Sequence, residues 1–445
     1  MSMGLDSEVM KGDSMLNIKK KSSVAAVAVA ALAASSLALT GSVAAQAAEP
    51  TSFSLYVPAW QSGDSPYVAV ANAFMKAYPN YKVKVTQVAG DAYSNGLQTS
   101  LQAGNGPDVF RTEPGNGNTM SLVPLAKKGF LRSLNATAAR SVNPSSAAAD
   151  LSVGGQIYGV SLDLTAGSMV ANETLMKADG VTWPSTFGDL LDACTAAKKK
   201  GKSFIALAGA ISANTGLFGM SIIGGDLYLG DPTWNSRRAA GKVTFAGSAG
   251  WKTALNKVVQ MKNANCFQDG AAGADFGSGI DANFFAHKAY AVFVPGSTSV
   301  VFKRFVPPTR GEDIVTEAFP GTTAAQTAVP AAVNYSLSVN AKTKATKAVN
   351  AFINFVASKD GQVTYQKLSG GLPTTAKLTA SNVPDADAYR NVIALVNAKK
   401  TYPFPDKGFS NGAVYVALGT GIQGLITGQA TVAQVLQSMD AAWGQ

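Results

Sequence analysis

The sequence predicts an α/β protein with two domains. Between residues 53 and 110 the chain alternates strand, helix, strand, helix and strand, an order that favours a parallel sheet covered by helices. Removing residues 1–47 leaves 398 of the 445 residues, enough for two domains with sizeable cores. Because no long Pro- or Ser-rich linker interrupts the chain, we expect it to pass between the domains more than once.

The individual elements follow from hydrophobic period and from residues that end helices. Apolar residues alternate with polar ones in the predicted strands, and recur every three or four positions in the predicted helices. Ser185 is the expected N-cap of a helix that starts at residue 186. The predicted strands are 53–57, 81–85, 108–110, 289–294 and 335–339, and the predicted helices are 66–78, 93–103, 186–200, 251–262, 345–358 and 431–443.

Residues 15–47 have the pattern of an export signal. Lys19, Lys20 and Lys21 precede an apolar stretch of about 16 residues, which is shorter than the roughly 20 that a membrane-spanning helix needs. Small residues at 45 and 47 predict cleavage before Ala48. The alternative is a retained N-terminal anchor. The acids before Met15 are unusual in such a signal, so the start is open between Met1 and Met15.

The segment 39–42 has the shape of a lipoprotein processing site, but Ser42 stands where the lipidated Cys would be. Without that thiol no lipid can be attached through a thioether. We therefore expect an exported soluble protein that acts outside the cell or in the periplasm.

The net charge of +10 does not predict nucleic-acid binding. The lysines are scattered over Ala-rich helical patterns, and the densest run, 198–202, is typical of the solvated C-terminal end of a helix. We expect no nucleic-acid partner.

The two cysteines, Cys194 and Cys266, are an even number in an exported chain, which favours a disulfide over two buried thiols. With His287 as the one histidine, the usual Cys/His metal clusters are excluded. His287 itself is expected at the surface or in a capping role.

Catalytic and cofactor motifs are absent from the sequence. There is no G-x-S-x-G, H-E-x-x-H or P-loop pattern. Residues 419–424 match G-x-G-x-x-G, but they lie in a helix-like run too close to the end for a βαβ unit. No cofactor is expected. A glycosidase would need two carboxylates, and nothing in the sequence selects a pair.

Several motifs, in order, resemble the extracellular solute-binding proteins of bacterial ABC importers, in particular the sugar-binding, maltose-binding-protein-like group. Their order and spacing, rather than any one motif, carry the resemblance over nearly all of the chain beyond residue 47. They are Ala103–Val109 (AGNGPDV), Leu122–Leu131, Gly155–Val160 (GQIYGV), Phe285–Gly296 (FAHKAYAVFVPG), Gly371–Thr374 (GLPT) and Gly428–Trp443.

The resemblance implies a two-lobed periplasmic-binding-protein-like fold of type 2, with three segments crossing between the lobes. We expect crossings near residues 160–164, 293–296 and 334–337. Lobe 1 would then comprise residues 48–160 and 296–336, and lobe 2 residues 161–295 and 337–445. The resemblance also implies a monomer that binds a mono- or oligosaccharide between the lobes and delivers it to the permease subunits of the importer.

The candidate ligand-binding residues follow from this placement, because strand ends in such sheets face the cleft. Trp60 after the first strand would stack on a sugar, with a core or rim position as the alternative. Glu113 would bind hydroxyl groups, with a solvated loop as the alternative, and Asp163, after the first crossing, would line the floor of the cleft. Trp234 and Tyr335 would cover the ligand. Further candidates are Gly296, Ser297, Gly371, Leu372, Asp64 and Asn214. The Trp usual after residue 296 is absent.

Two other functions remain open from the sequence. One is an extracellular carbohydrate-active enzyme, which would release products from a polysaccharide. The other is the same fold with a non-sugar ligand, such as a polyamine, a metal chelate or a phosphate ester. The acids are too sparse to favour a polyamine, and the positive charge would suit an anion better.

Overall fold

The computed structural model describes residues 49–60, 64–88, 90–117, 120–374, 378–383 and 385–444, so the predicted signal and Ser42 lie outside it. Strands β1–β14 are, in chain order, Ser52–Pro58, Lys82–Val88, Val109–Thr112, Ser152–Val153, Gln156–Ile157, Val160–Ser161, Leu164–Ala166, Met169–Asn172, Ser203–Ala206, Ala289–Phe293, Ile314–Glu317, Val329–Val333, Ser336–Val339 and Thr401–Tyr402. Helices α1–α16 are Pro66–Ala77, Gly90–Ala103, Leu122–Lys127, Ala139–Val142, Ala148–Leu151, Glu173–Ala178, Phe187–Lys199, Ser212–Ile222, Trp234–Ala239, Ala249–Asn263, Thr298–Phe305, Thr346–Val356, Lys359–Ser369, Ala386–Asn397, Gly412–Thr427 and Val432–Trp443.

Lobe 1 is built on a five-stranded sheet in the order β2-β1-β3-β13-β6. β1 is parallel to β2 and β3, while β13 is antiparallel to β3 and β6. The predicted strand–helix alternation at the start of the chain is thus confirmed. Phe74 on α1 is fully buried and packs its ring against Phe53 of β1 at 6.2 Å and Phe352 of α12 at 5.2 Å between centroids. The apolar face of α1 therefore forms part of the lobe 1 core.

Lobe 2 is built on a four-stranded sheet in the order β11-β8-β10-β9. Its core includes side chains from α7, α8, α10, α15 and α16, with Trp251, Phe218 and Leu418 all fully buried. The disulfide between Cys194 on α7 and Cys266 is present, as predicted, and both residues are fully buried. It joins α7 to the segment after α10.

The start of α7 differs from the prediction by one residue. Thr186, not Ser185, is the N-cap, and its hydroxyl accepts a hydrogen bond from the backbone N of Asp189 at 3.2 Å. The Asp189 carboxylate accepts in return from the backbone N of Thr186, which completes a capping box. The Ser185 hydroxyl instead donates to the same carboxylate.

Two of the predicted crossings agree with the strand order. The first runs from β6 in lobe 1 through β7 to β8 in lobe 2, and the second from β12 to β13. β7 and β12 pair with each other, and with β14 they form a small sheet that we call the connecting sheet.

The predicted crossing at 293–296 is wrong. After β10 the chain stays in lobe 2, because the hydroxyl of Ser299 on α11 lies 2.8 Å from that of Thr316 on β11. Gly296 also donates from its backbone N to the carbonyl of Gly167 beside β8. The third passage lies instead after α13, where Leu372 forms two backbone hydrogen bonds with Leu164.

This shift changes the lobe assignment of two segments. Strand β11, which lies in the segment 296–336 expected in lobe 1, pairs with β8 of lobe 2. Strand β13 and helices α12 and α13, expected in lobe 2, lie in lobe 1, where β13 pairs with β3. Each strand is only four residues long, and so short a segment does not indicate which sheet it joins.

Neither a membrane-spanning helix nor a metal site is found in the part of the chain that the structure describes. None of its helices combines the length and apolar character needed to cross a bilayer. Likewise, no group of three or more His, Cys, Asp or Glu side chains within the described ranges could hold a metal ion.

Candidate functional site

A cavity of about 1220 Å³ lies between the two lobes. Lobe 1 lines it with residues that follow β1 and β3, and lobe 2 with α8, α11 and the π-helical segment Gly277–Phe285. The loop after β14 also lines it and contacts lobe 1 directly. There, Asn116 donates from its backbone N to the Lys407 carbonyl at 3.0 Å, and from Nδ2 to the Phe409 carbonyl at 2.8 Å.

Arg111 and Glu113 at the end of β3 form the charged part of the lobe 1 wall. Nη2 of Arg111 lies 2.7 Å from Oε1 of Glu113, and their side chains are 15% and 19% exposed. The guanidinium carbon of Arg111 also lies 4.2 Å from the ring centroid of Tyr335. The ion pair with Glu113 and the contact with the Tyr335 ring together fix the orientation of the planar guanidinium at the cavity.

Trp60 presents an aromatic side chain directly after β1. It is half-buried, and its ring meets that of Tyr67 edge-on, with centroids 6.4 Å apart. Tyr67 in turn packs against Tyr365 of α13 at 5.4 Å. The Trp60 indole therefore lines the cavity with the Tyr67 ring packed against it.

Polar atoms without partners surround the cavity. Four residues that line it each have one buried polar atom that makes no hydrogen bond to any described residue. Two atoms are N–H donors, one is a hydroxyl and one is a carboxylate acceptor. They are Trp60 Nε1, Arg111 Nε, Thr165 Oγ1 and Asp406 Oδ1. Each of these atoms is itself buried within the wall, so the observation shows only that side chains of both donor and acceptor type stand at the cavity.

The charges at the cavity nearly balance, unlike those of the whole chain. Three acids and two cations line it, namely Glu113, Asp281, Asp406, Arg111 and Lys407. Burial raises the pKa of Asp406 to about 6, and burial followed by the charge of Asp275 raises the pKa of Asp281. The cavity thus has no excess of positive charge that would select an anion.

Five of the residues predicted from the sequence line this cavity: Trp60, Glu113, Asn214, Ser297 and Tyr335. The side-chain amide of Asn214 also links three segments of lobe 2 by hydrogen bonds. Its Oδ1 accepts from the backbone N of Ala208, and its Nδ2 donates to the carbonyl of Phe293 at 2.6 Å. Its amide therefore ties α8 to β9 and β10.

Four predicted residues do not line the cavity wall. Asp163, Gly371 and Leu372 lie in the passages between the lobes, and Gly296 lies in lobe 2, packed against the first passage. Asp163 is fully buried, and burial raises the pKa of its carboxyl to about 7. A Cβ on Gly371 would lie 1.9 Å from its Oδ2, and a Cβ on Gly296 would lie 1.9 Å from the carbonyl O of Ala166. Because both glycines lack a Cβ, their backbones can pack closely against the first passage at Asp163 and Ala166.

Trp234 and Asp64 lie away from the cavity wall. Trp234 does not cover a ligand, because it is 1% exposed and packs in the lobe 2 core against Phe245 at 4.9 Å and Trp251 at 6.1 Å. The turn-rich sequence before it suggested a surface insertion, but that turn starts a short helix, α9. Asp64 is exposed in the loop before α1.

The sequence reasoning did not identify Arg111, Thr165 or Asp406. Arg111 could have been found, because it lies two residues before Glu113 on the same face of a strand. No spacing relative to a predicted site residue that lines the cavity marks Thr165 or Asp406 in the sequence. Asp406 lies in the aromatic loop 402–409, whose place in the fold depends on contacts with lobe 1.

Comparison with known proteins agrees with this architecture. The family model for bacterial extracellular solute-binding proteins matches residues 58–363, so the chain belongs to that family. A comparison with curated proteins found no match.

Solved structures of the same fold cover 88% of this chain. One comes from work on xylan utilization by the thermophilic bacterium Caldanaerobius polysaccharolyticus, with a TM-score of 0.72, 20% identity and 99% of its own chain covered. RafE in complex with raffinose has a TM-score of 0.71, 16% identity and 98% coverage of its chain. The bacterial solute receptor AcbH, with its preference for β-D-galactopyranose, has a TM-score of 0.73, 14% identity and 97% coverage.

Proposed function

We propose that this protein is the substrate-binding component of an ABC importer, and that it captures a carbohydrate between its lobes and delivers it to the permease in the membrane. It would act outside the cell membrane after export and removal of residues 1–47. The observation that carries the proposal is the cavity between the lobes, whose wall sets the aromatic rings of Trp60 and Tyr335 beside the polar side chains of Arg111, Glu113 and Asp406. Membership of the extracellular solute-binding family supports it.

A carbohydrate fits this wall better than the other ligand classes. Sugar hydroxyls both donate and accept hydrogen bonds, and the wall has donors on Arg111 and Lys407 and acceptors on the carboxylates Glu113 and Asp281. The apolar face of a pyranose can stack on Trp60 or Tyr335. A polyamine or a phosphate ester would need a strong excess of one charge, and the cavity has none. The names of RafE with raffinose and AcbH with β-D-galactopyranose also favour a sugar.

The binding step would be closure of the lobes on the ligand. Lobe 1 offers Arg111, Glu113 and Trp60, and lobe 2 offers Ser297 and Asp406, so a ligand in the cavity can contact both. Contacts to both lobes form fully only in the closed state, so the ligand shifts the equilibrium toward it. This requires no bond to be made or broken.

A thermal-shift screen of the purified protein tests the proposal. The panel contains galactose, raffinose, xylobiose and chitobiose, with spermidine and glucose 6-phosphate as other ligand classes. A sugar present at a hundred times its Kd would stabilise the protein by about 2.7 kcal/mol. Chromatography of the sugar afterwards separates binding from hydrolysis. Product formation would favour the enzyme alternative, and a response to spermidine or the phosphate ester alone would overturn the carbohydrate proposal.

Arg111→Lys links the response to this cavity. The lysine keeps the charge but loses the Nε–H donor and the planar group that stacks on Tyr335, so we expect affinity for the responding sugar to fall ten- to a hundredfold. Arg140→Lys, on the exposed surface of lobe 1, is the matched control and should bind as the original protein does. Equal affinities in both variants would place the sugar elsewhere.

A further inference from the structure

The face of α11 that lines the cavity is polar at its N-terminal end and apolar at its C-terminal end. The residues that face the cavity are spaced about one helical turn apart, which places them along one stripe. At the N-terminal end they are Ser297 and Thr298, near the passages between the lobes. At the C-terminal end they are Val301, Phe302 and Phe305.

The apolar end of this stripe continues into a larger surface, which we call the apolar wall. It combines the C-terminal half of α11 with the segment that follows it and with the face of Gly277–Phe285. Its members are Phe276, Ile280, Phe285, Val301, Phe302, Phe305, Val306, Pro307 and Pro308. Phe276 is 45% exposed, and the rings of Phe285 and Phe302 meet edge-on at 4.8 Å.

None of the nine side chains of the apolar wall has a polar atom that could pair with a sugar hydroxyl. Phe276, Pro307 and Pro308 are exposed and Phe285 and Phe305 are half-buried, while the other four members are buried beneath them. Exposed apolar side chains grouped beside a cavity mark a binding surface. Among the described residues of lobe 1, Pro58 and Ala59 at the end of β1 are the wholly apolar part of the lining, so closure of the lobes would not cover the wall with similar residues from this part of the chain. The side chains that would bind the sugar come from other parts of the cavity: Trp60, Arg111, Glu113 and Asp406.

We infer that the ligand is an amphipathic glycoside, in which a sugar binds the polar part of the cavity and an apolar aglycone, such as an aryl or alkyl group, packs on the apolar wall. This rests on the proposed function and adds the substrate class. The driving force for the aglycone is removal of its surface, and that of Phe276, Phe285 and Phe305, from water.

Matched pairs of glycosides test the inference. The Kd values of methyl and phenyl β-D-glycosides of galactose, glucose, xylose and N-acetylglucosamine are measured by titration calorimetry. For each sugar that binds, we expect the phenyl glycoside to bind at least tenfold more tightly, which corresponds to about 1.4 kcal/mol. Methyl glycosides that bind as tightly as phenyl ones would overturn the inference while the carbohydrate proposal stands. No binding of either form would overturn the inference, and it would overturn the carbohydrate proposal too only if no sugar of the thermal-shift panel binds.

Variants of the apolar wall locate the effect. In Phe276→Ser the ratio of the two Kd values should fall toward one, and the change is on an exposed side chain that is not needed for the core. Phe305→Ser should lower the ratio in the same way. Tyr78→Ser, an aromatic residue of equal 45% exposure on lobe 1, is the control and should leave the ratio as it is. A ratio that is unaffected by both wall variants would contradict the inference.

Discussion

The hydroxyl of Ser369 donates a hydrogen bond of 2.8 Å to Oδ2 of Asp163, and this bond joins the third passage between the lobes to the first. Asn334, in the second passage, donates from its backbone N to the carbonyl of Asp163 at 2.9 Å. One buried residue therefore contacts all three connections. Because hinge motion must occur in these connections, Asp163 is placed to influence how the lobes move.

Asp163 should make stability depend on pH. Burial raises the pKa of its carboxyl to about 7 from an ordinary 3.8, so between these values the folded state binds more protons than the unfolded state. The free energy of unfolding should therefore fall as pH rises from about 4 to 7, by about 4 kcal/mol at most from this group. Burial raises the pKa of Glu317 to about 8 and that of Asp406 to about 6, with the same sign.

Asp163→Asn isolates this contribution. The amide cannot ionise, but its oxygen can still accept from Ser369. We expect the free energy of unfolding of the variant, minus that of the original protein, to rise by about 2 kcal/mol between pH 5 and pH 8. Urea unfolding without ligand measures this difference. A difference between the two proteins that does not change with pH would show that Asp163 does not titrate in this range.

Gly371 should tolerate no side chain. An added Cβ would lie 1.9 Å from Oδ2 of Asp163 and 2.4 Å from its Cβ and Cγ, inside a fully buried contact. We expect Gly371→Ala to lower the free energy of unfolding by about 3 kcal/mol, as overpacking does in cores. Gly188→Ala is the matched control, since its Cβ would meet nothing closer than 3.7 Å on exposed α7. That variant should be as stable as the original protein or more stable by about 0.5 kcal/mol. Equal melting temperatures for both variants would contradict the expectation.

Trp60 and Trp234 should respond in opposite ways to truncation. Trp234→Ala removes a fully buried ring and should cost about 3–5 kcal/mol of stability, without changing the affinity of the folded protein for a sugar. Trp60→Ala should cost about 1 kcal/mol of stability but at least tenfold in affinity, because the indole lines the cavity. Chemical unfolding and calorimetry on the same two variants measure both quantities. Loss of affinity in Trp234→Ala alone would reverse the assignment.

The disulfide should stabilise lobe 2 without shaping the site. Cys194 and Cys266 are 72 residues apart, and a loop of that length gives about 4 kcal/mol on the chain-entropy account. We expect the double variant Cys194→Ala/Cys266→Ala to lose about 2–5 kcal/mol in urea unfolding and to keep its sugar affinity at 25 °C. A variant with full stability, or one that folds but no longer binds, would be contrary to this expectation.

Local features of this fold could be predicted from the sequence because they depend on neighbours along the chain. The alternation at 53–57 and the stripe of apolar residues in α1 each lie within a dozen residues, so their period alone indicates a strand or a helix. Trp60, Glu113 and Tyr335 lie next to strands, and the expected position of strand ends at a cleft was enough to select them.

The sequence by itself determined the fold class, eleven of the strands and helices, the pairing of its two cysteines in an exported chain and several residues at the cavity. Only the tertiary structure decided that β11 joins lobe 2 and β13 lobe 1, that Trp234 lies in a core, and that Arg111 stacks on Tyr335, more than 200 residues away. It also brought α11 and Gly277–Phe285 together as the apolar wall. The physical reason is that such contacts arise from how distant surfaces pack, and a short apolar run has the same pattern whichever surface it meets.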